Sequence, residues 1–530
     1  MTVLHHRKRR VLIVNCYADE TRRPVARSGK VPQTIGPLFL AGAFRPDRWE
    51  IRIHNEHSDG PLDDRGILGW PDLLVLTGLT TSLDRMRHLT AYARTGNPRV
   101  RVVGGGHVAR AFPSLCATFM DIVCQGDVDE LLAVVADLYG PGWASERLVP
   151  RFDLGHWIGR IGYAESTKYC NFKCDFCVLS GERRKYSQYP IADLRNQLAA
   201  IGKRGILNFN DNNFYGNDRS GFLERVACVK EFWEAGQFAH WGALVTGDFF
   251  QNSDNLALVK ASGAIALFSG VESFSPQWNV GFNKRQNAVR PQVELIRECL
   301  EAGLVFLYGL ILDPSTRSLA ELEEELTEVV NCHQITLPAF LSLPIPFPGT
   351  PWFYQCLDTR ALLPGTLVRD LDSTTLTVRP LDPLPQVLEF VRKLQFVSGF
   401  RRAIVHHSFH FWRRYHRSLS PLQMVLAQSG GLFLAAPLLG TLPTKVGRRS
   451  ARRTHLGGGE ALDRFYRPAF RVDAKFEPYF TPVTLIDSAG ALDGRVAVDI
   501  EAARPTRRAP APRQQLVPIS ATSHHPGASE

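Results

Sequence analysis

The chain has 530 residues, a formal net charge of +10, and a composition that is 44% hydrophobic and 22% charged. This composition is that of a soluble globular protein, and the length exceeds one ordinary hydrophobic core, so we expect two or three domains. No stretch reaches the ~20 apolar residues that a membrane-spanning helix needs, and the opening MTVLHHRKRRVLIVN carries no signal-peptide cleavage site. We therefore expect a cytoplasmic protein, in which clustered thiols serve metal or redox chemistry rather than disulfides.

The first 150 residues alternate strand-like and helix-like segments. We predict strands at 10–16 and 49–56, a strand that runs into a polar loop within 71–82, and a strand that ends in glycines at 99–107. We also predict helices at 33–44 and 83–96, and a short strand followed by a helix within 120–140. This alternation indicates a doubly wound parallel sheet, in which ligands bind at the carboxyl ends of the strands. Those ends carry the segments TGLTTS and GGGH.

The alternation resumes after a linker that contains Pro150 and Gly155. We predict strands within 204–217, 240–250, 264–274, 304–316 and 338–353, and helices at 220–236, 255–263, 290–303 and 319–332. These units indicate a partial (β/α)6 barrel whose chemistry lies at the carboxyl ends of its strands. The predicted domains are a Rossmann-like α/β domain at 1–150, the barrel at 151–370, a mainly helical, substrate-facing region at 371–500, and a disordered tail at 501–530.

Three cysteines stand close together in STKYCNFKCDFCVLSG, although the chain has only 10 cysteines in all. They follow the spacing C-x3-C-x2-C and are Cys170, Cys174 and Cys177. A structural zinc ion usually takes four protein ligands, whereas a [4Fe–4S] cluster held by three cysteines keeps one iron free. A zinc site completed by His156 or His240 is the alternative. Phe176, directly before the last cysteine, is an aromatic residue that can pack beside a flat ligand.

The C-x3-C-x-F-C segment, placed after the first strand of such a barrel, resembles the radical S-adenosylmethionine (radical SAM) superfamily. The resemblance implies that the free iron binds S-adenosylmethionine (SAM), which one electron cleaves to methionine and a 5′-deoxyadenosyl radical. LNFNDNNF resembles the second strand and its loop, where Asp211 would approach SAM, although Asn212 and Asn213 replace the usual aspartates. FSGVESF resembles the fourth-strand motif, in which Glu272 would hydrogen-bond SAM. YGLILDPST and PFPGTPWF resemble the ends of the fifth and sixth strands.

The first 150 residues resemble the cobalamin-binding domain of cobalamin-dependent radical SAM enzymes. PDLLVLTGLTTS, VVGGGHVARAFP and DIVCQGDVDEL resemble its three successive motifs, with Asp127 where a glutamate is usual. The resemblance implies that small residues line the nucleotide tail and phosphate of cobalamin, namely Thr80, Thr81, Ser82, Gly104, Gly105 and Gly106. The D-x-H-x-x-G motif that supplies a cobalt ligand in many cobalamin proteins is absent, and His54, His57 and His107 are candidates by residue type only. A sheet domain that has lost cofactor binding is the alternative.

The resemblance implies three cofactors, namely a [4Fe–4S] cluster, SAM and cobalamin. The commonest reaction in this branch is methylation of an unactivated carbon or a phosphorus through methylcobalamin, so we expect a methyltransferase that acts on a small-molecule or natural-product intermediate. A cyclase, rearrangement enzyme or oxidoreductase on the same scaffold is the rival, and a non-catalytic Fe–S binding protein is an alternative of another class. A flavodoxin or ferredoxin would donate the electron.

The positive charge is concentrated in RRAIVHHSFHFWRRYHR at 401–417 and TKVGRRSARRTH at 444–455. Such segments suit a nucleic acid, an anionic membrane surface or simple solvation. We expect no specific nucleic acid, because no nucleic-acid-binding motif accompanies the charge. For 401–417, contact with an anionic intermediate or a membrane lipid is an alternative, but we favour a helix whose apolar side packs on the barrel.

Overall fold

The computed structural model describes residues 7–17, 34–373, 375–396, 400–435 and 467–504. The N-terminal sheet has five parallel strands, which are β1 (Arg9–Asn15), β2 (Trp49–Asn55), β3 (Leu73–Gly78), β4 (Arg101–Gly106) and β5 (Ile122–Val123). Their order is β2-β1-β3-β4-β5, which is the flavodoxin-like doubly wound arrangement. The predicted doubly wound sheet is therefore confirmed.

The middle of this sheet is covered on both faces. Val11, Leu12, Ile13 and Val14 of β1 are each at most 1% exposed, and such a continuous apolar run is typical of a parallel strand between two layers of helices. The helices of this domain are α1 (Gly36–Ala41), α2 (Glu56–Asp59), α3 (Arg65–Leu68), α4 (Leu83–Gly96), α5 (His107–Ala111), α6 (Pro113–Ala117) and α7 (Val128–Tyr139).

The second sheet is an open half-barrel of six parallel strands. It contains β6 (Ile161–Ala164), β9 (Arg204–Phe209), β10 (Phe238–Leu244), β11 (Ala264–Glu272), β12 (Val305–Ile311) and β13 (Phe340–Ser342), in that spatial order. A small antiparallel pair, β7 (Thr167–Lys168) and β8 (Ser187–Gln188), follows β6. The predicted partial barrel is therefore confirmed, and the carboxyl ends of its strands form one mouth.

Helices alternate with the barrel strands as the sequence predicts. They are α8 (Val178–Glu182), α9 (Ile191–Ile201), α10 (Arg219–Glu234), α11 (Asn255–Ala261), α12 (Pro276–Gly281), α13 (Gln292–Glu301) and α14 (Leu319–Asn331). Helix α14 begins with a capping box between Ser318 and Glu321. Its buried Leu322, Leu326 and Val329 recur at spacings of four and three, which places one apolar stripe on the sheet.

The C-terminal helices are α15 (Pro351–Asp358), α16 (Leu384–Phe396), α17 (Arg401–Tyr415), α18 (Pro421–Ala435) and α19 (Gly494–Ala503). Gln423 of α18 donates to the carbonyl oxygens of Gly303, at 2.7 Å, and Ile265, at 3.2 Å. Gly303 precedes β12 and Ile265 lies near the start of β11, so α18 lies at the amino ends of the barrel strands. Residues 401–435 are therefore at the opposite end of the barrel from the mouth.

The last described segment, 467–504, packs on the N-terminal domain instead. The ring of Phe470 lies 4.6 Å from that of Tyr92, and Arg87 donates to the carbonyl oxygen of Thr481 at 2.7 Å. The region predicted at 371–500 thus joins both sheet domains. The predicted disordered tail at 501–530 lies outside the described residues from 505 onward, as does the basic segment at 444–455. Within the described ranges, no helix is both long enough and apolar enough to cross a membrane.

Candidate active site

The three cysteines lie on the loop between β7 and α8, at the mouth of the half-barrel. Tyr169 has a left-handed φ of 62°, so the chain turns sharply directly before Cys170. Cys174 is buried, while Cys170 and Cys177 are half-buried, and all three are free thiols. Burial raises the pKa of Cys170 and raises that of Cys177 to about 11, so both are neutral thiols until a metal displaces their protons.

Polar groups approach these sulfurs. The Gln286 amide nitrogen lies 3.5 Å from the Cys174 sulfur, and the Phe172 backbone nitrogen lies 3.5 Å from the Cys170 sulfur. The Lys284 ammonium acts electrostatically on the thiols and opposes the rise in their pKa. Hydrogen bonds and positive charge at sulfur are the means by which a protein stabilises and tunes a thiolate-bound cluster.

The cysteines do not form a conventional single-ion site. Among the described residues, no three His, Cys, Asp or Glu side chains are arranged to ligate one metal ion. His156 instead contacts Asp59 at 2.8 Å, and His240 lies in the amino-terminal half of β10, away from the mouth. The zinc alternative, which needs a histidine beside the cysteines, is therefore not supported. Three thiols that each bind a different iron of a cluster need not converge on one point, so the donor set fits a cluster.

Asp211 secures the chain that leads into the cysteine loop. Its carboxylate is 1% exposed and accepts hydrogen bonds from the Ser166 backbone nitrogen at 2.8 Å, the Ser166 hydroxyl at 2.9 Å and the Thr167 hydroxyl at 2.7 Å. Burial raises the pKa of Asp211, and these hydrogen bonds oppose the rise. Burial and the charge of Asp211 also raise the pKa of the neighbouring Glu165 to about 7. The structure thus places Asp211 against the loop backbone.

Asn213, one of the two asparagines that follow Asp211, supports the same loop. Asn213 donates to the Asn171 side chain at 2.7 Å, and Asn171 donates to Asp248 at 3.3 Å. Asn213 and Asp248 are both buried. Because Asn171 directly follows Cys170, this network fixes the position of the first cysteine.

Glu272 forms a largely buried ion pair at the carboxyl end of β11. Its Oε1 lies 2.9 Å from Lys284 Nζ, and the two side chains are 16% and 9% exposed. Burial alone would lower the pKa of Lys284, but the charges of Glu272 and the thiols raise it. Glu272 has a left-handed φ of 63°, and the β11–β12 register shifts between Gly270 and Glu272. Such strain in a residue other than glycine persists where the surrounding structure enforces it, and it concentrates at functional sites.

Phe176 belongs to an aromatic cluster beside this ion pair. Lys284 Nζ lies 5.7 Å from the Phe176 ring, and the rings of Trp278 and Phe282 lie 5.8 and 5.9 Å away. Trp278 in turn donates to Asp313 at 3.0 Å, just beyond β12. The structure therefore brings Phe176 and Glu272 together with the cysteines, and it connects them to the predicted fifth-strand segment.

The carboxyl edge of the first sheet holds a second concave site. The pocket is lined by Gly36, Leu40, Val75, Leu76, Thr77, Val103, Gly104, Gly105, Gly106, Arg110, Cys124, Gly126, Asp127, Val128 and Leu131. Gly106 has a φ of 89°, and a Cβ there would lie 2.7 Å from the Gly78 carbonyl oxygen. At Gly104 a Cβ would lie 2.1 Å from the Met120 sulfur. Gly106 therefore requires glycine, whereas an added Cβ at Gly104 would displace only the flexible end of the Met120 side chain. At both positions the backbone itself forms the pocket wall.

The other predicted cobalamin residues lie elsewhere. Thr80, Thr81 and Ser82 form a buried 3-10 turn after β3 and are not among the pocket-lining residues. Ser82 donates to the Cys16 carbonyl oxygen at 3.0 Å, so it supports the loop between β3 and α4. The pocket lining contains none of the three candidate histidines; His54 bonds to the Gly60 carbonyl oxygen at 2.9 Å.

Ion pairs join the pocket edge to residues that flank the cysteines. Asp127 Oδ2 lies 2.9 Å from Lys168 Nζ, and Tyr169 donates to the same oxygen at 3.3 Å. Burial acts to raise the pKa of Asp127, but the Lys168 ammonium holds it below its usual range. In addition, Glu182 lies 2.8 Å from both His107 and Arg110. Lys168 thus precedes the three cysteines in the sequence and Glu182 follows them. Both contact the pocket edge, Lys168 through Asp127 and Glu182 through His107 and Arg110.

The first domain matches the model of a known domain family. The model of the B12-binding domain matches residues 23–136, of which 34–136 are described. The chain carries a B12-binding domain. No curated protein sequence matches this chain.

Solved structures extend the comparison to the whole fold. The cobalamin-dependent SAM radical enzyme OxsB with aqua-cobalamin and SAM bound is similar at a TM-score of 0.54, with 14% identity over 80% of this chain and 70% of that chain. OxsB with aqua-cobalamin bound gives a TM-score of 0.56, with 12% identity over 84% of each chain. The B12-binding domain and the half-barrel together therefore have the fold of a cobalamin-dependent radical SAM enzyme, as the sequence motifs predict.

Several residues of the site carry no motif of their own in the sequence. Lys284 lies 12 positions beyond Glu272, and only the fold brings its ammonium to the thiols and the carboxylate. The residues that join the two domains also belong to no motif, and only the fold brings them to their partners; they are Arg110, Lys168 and Glu182. A search for charged residues next to the cysteine motif would have found Lys168 and Glu182.

Proposed function

We propose that this chain is a cobalamin-dependent radical SAM methyltransferase that acts on an unactivated carbon, or a phosphorus, of a small-molecule or natural-product intermediate. The observation that carries the proposal is the contact between the glycine-walled pocket edge and the cysteine loop, made by Asp127 with Lys168 and by Glu182 with His107 and Arg110. Methyl transfer through cobalamin requires the two cofactor sites to share one reaction space, and this contact supports that arrangement.

The residues at the mouth have distinct roles in this proposal. Cys170, Cys174 and Cys177 would hold a [4Fe–4S] cluster, and Glu272 would bind SAM beside it. When bound, the cluster and cobalamin supply the one-electron cleavage of SAM and the transfer of its methyl group. Lys284 pairs with Glu272 and partly offsets the negative charge of the thiolates in a site that excludes much of the solvent. Phe176 and its aromatic neighbours close one side of the site against water.

The pocket of the first domain would take the cobalamin. Its glycine wall allows the backbone to approach a bulky ligand, and Gly105 leaves space where any side chain would project. We propose that the electron comes from a protein of the flavodoxin or ferredoxin class.

The test follows the methyl group of SAM. Metabolites from cells with and without the protein, compared by mass spectrometry, would identify the substrate. Anaerobically reconstituted protein, supplied with that substrate and SAM carrying a deuterated methyl group, should release S-adenosylhomocysteine and 5′-deoxyadenosine together with deuterated product. Deoxyadenosine with an unlabelled product would instead favour a cyclase, rearrangement enzyme or oxidoreductase on the same scaffold. A protein that never cleaves SAM would favour a non-catalytic Fe–S binding role.

A further inference from the structure

Helix α17 has two apolar faces, and the barrel covers one of them. Ile404, Phe411 and Tyr415 are at most 3% exposed, which confirms the prediction that one side of this helix packs on the barrel. On the other side, Val405, Phe409 and Trp412 are 59%, 55% and 48% exposed. Their spacings of four and three place them on one helical face.

Helix α18 extends this exposed apolar surface. Leu422 and Val425 are 40% and 61% exposed, and Trp412 and Val425 line the same groove between the two helices. We call Val405, Phe409, Trp412, Leu422 and Val425 the α17–α18 patch. A contiguous exposed apolar patch that contains Phe and Trp marks an interaction site more often than a bare solvent surface does.

The chain segment that carries the patch has charged side chains of one sign. Residues 390–459 contain no Asp or Glu but twelve Lys and Arg. Arg402 and Arg413 are exposed on α17, on the flank of the patch by helical spacing, and Arg417 is exposed just beyond the helix. Arg414 is directed elsewhere, since it lies 3.7 Å from Glu301. The patch therefore combines an apolar face with exposed arginines at its border.

We propose that the α17–α18 patch docks the protein on the surface of an anionic lipid bilayer. Exposed Trp and Phe with flanking Arg are the composition of helices that lie in the membrane interface, where the rings enter the headgroup layer and the cations face the anionic lipids. A second copy of this chain fits less well, because patch-to-patch contact would bring the exposed arginines of the two copies together. A nucleic acid would engage the arginines but leave the apolar face uncovered.

The position of the patch determines how a docked molecule is oriented on the bilayer. The patch lies at the amino ends of the barrel strands, whereas the cysteines lie at the carboxyl-terminal mouth. A docked molecule would therefore hold its mouth away from the bilayer. Docking would place the enzyme at a membrane without delivering a lipid to the cysteines, so this inference does not depend on the proposed methylation.

Sedimentation with vesicles tests the proposal on the full chain. The protein should sediment with phosphatidylcholine vesicles that contain phosphatidylglycerol and far less with phosphatidylcholine alone. The double variant Phe409→Ser/Trp412→Ser should bind at least about tenfold more weakly, because it removes two interfacial aromatic rings. Arg402→Gln/Arg413→Gln should lose the preference for anionic vesicles and its salt dependence. The matched control is Val498→Ser on α19, which changes a side chain that is 66% exposed outside the patch and should bind normally.

Thermal unfolding and iron content of each variant separate lost docking from lost folding. Absence of binding to any vesicle would overturn the proposal, as would equal binding by the aromatic variant and the wild type. Binding to a DNA duplex that depends on Arg402 and Arg413 but not on Phe409 and Trp412 would assign the surface to nucleic acid instead. A dimer in solution that the aromatic variant dissociates would assign it to a second copy. SAM cleavage should be the same in all these variants, so a failure here is distinct from a failure of the proposed function.

Discussion

The Asp127 carboxylate lies 2.9 Å from the Lys168 ammonium and joins the B12-binding domain to the strand that leads into the cysteine loop. The side chains are 30% and 21% exposed, so solvent screens the pair only partly. A double-mutant cycle with Asp127→Asn and Lys168→Met should give a coupling free energy of about 1 kcal/mol in chemical unfolding. The control pair Glu50 and Arg52, at 49% and 50% exposure, should give a value near zero. Additive effects at Asp127 and Lys168 would mean that the contact does not hold the domains together.

Gly105 offers a direct test of the cobalamin pocket. A Cβ at Gly105 would lie 3.5 Å from the nearest atom of Cys124, so an added side chain is tolerated locally and projects into the pocket. Gly105→Val should leave the melting temperature nearly unchanged and reduce cobalamin binding at least about tenfold, because it fills space that the ligand needs. The corrin absorption bands of protein purified with cobalamin give the readout. Gly142→Ala, where a Cβ meets nothing within 4 Å, should retain the bands. Full corrin binding by Gly105→Val would move the cobalamin site elsewhere.

Lys284 should set the reduction potential of the cluster. It is a largely buried cation whose charge acts on the thiols, so it favours the more negative, reduced state of a thiolate-bound cluster. Lys284→Met should lower the potential by tens of millivolts in a redox titration followed by electron paramagnetic resonance, with iron content unchanged. Lys173→Met, an exposed lysine on the same loop, is the control and should have little effect. Equal reduction potentials in the wild type and Lys284→Met would show that Lys284 pairs with Glu272 without affecting the cluster.

The fold could be predicted further than the site, and the reason is physical. Strands such as β1 and helices such as α14 follow from local periodicity, which the sequence displays directly. The three cysteines carry their chemistry in their spacing alone. Glu272 was predicted from a motif, but its partner Lys284 could not be, because the tertiary fold brings the two together. The location of α18 at the amino ends of the strands depends on long-range packing that no local pattern encodes.

His407 should make the protein sensitive to acid. It is 1% exposed, bonds to the Cys332 carbonyl oxygen at 3.1 Å, and faces His333 and His406. Burial lowers its pKa to about 4, from about 6.5 in an unfolded chain. The unfolded state therefore binds the extra proton first, and stability is present above pH ~6.5 and lost as the pH falls toward 4. This loss should reach about 3 kcal/mol at its largest.

The variant His407→Gln keeps a side-chain N–H donor but does not titrate. Its free energy of unfolding should therefore fall less than that of the wild type between pH 6.5 and 4, while the exposed control His416→Gln should follow the wild type. Identical pH profiles for His407→Gln and wild type would show that the buried imidazole does not limit acid stability. Melting temperatures across the pH range provide the measurement.

We expect one chain to hold a three-cysteine cluster and cobalamin in a shared site. The protein is first reconstituted anaerobically with iron, sulfide and cobalamin. Iron analysis, visible absorption and a deoxyadenosine assay with SAM and a reductant then show whether it binds both cofactors and cleaves SAM. We expect about four irons per chain, stoichiometric corrin bands and deoxyadenosine release. Replacing Cys170, Cys174 and Cys177 with Ala should abolish the iron and the deoxyadenosine but keep the corrin, while Cys228→Ala, a buried thiol elsewhere, should change none of them. A triple variant that keeps its iron would place the cluster elsewhere, and a wild-type protein that binds iron without corrin would show that cobalamin is not a cofactor of this chain.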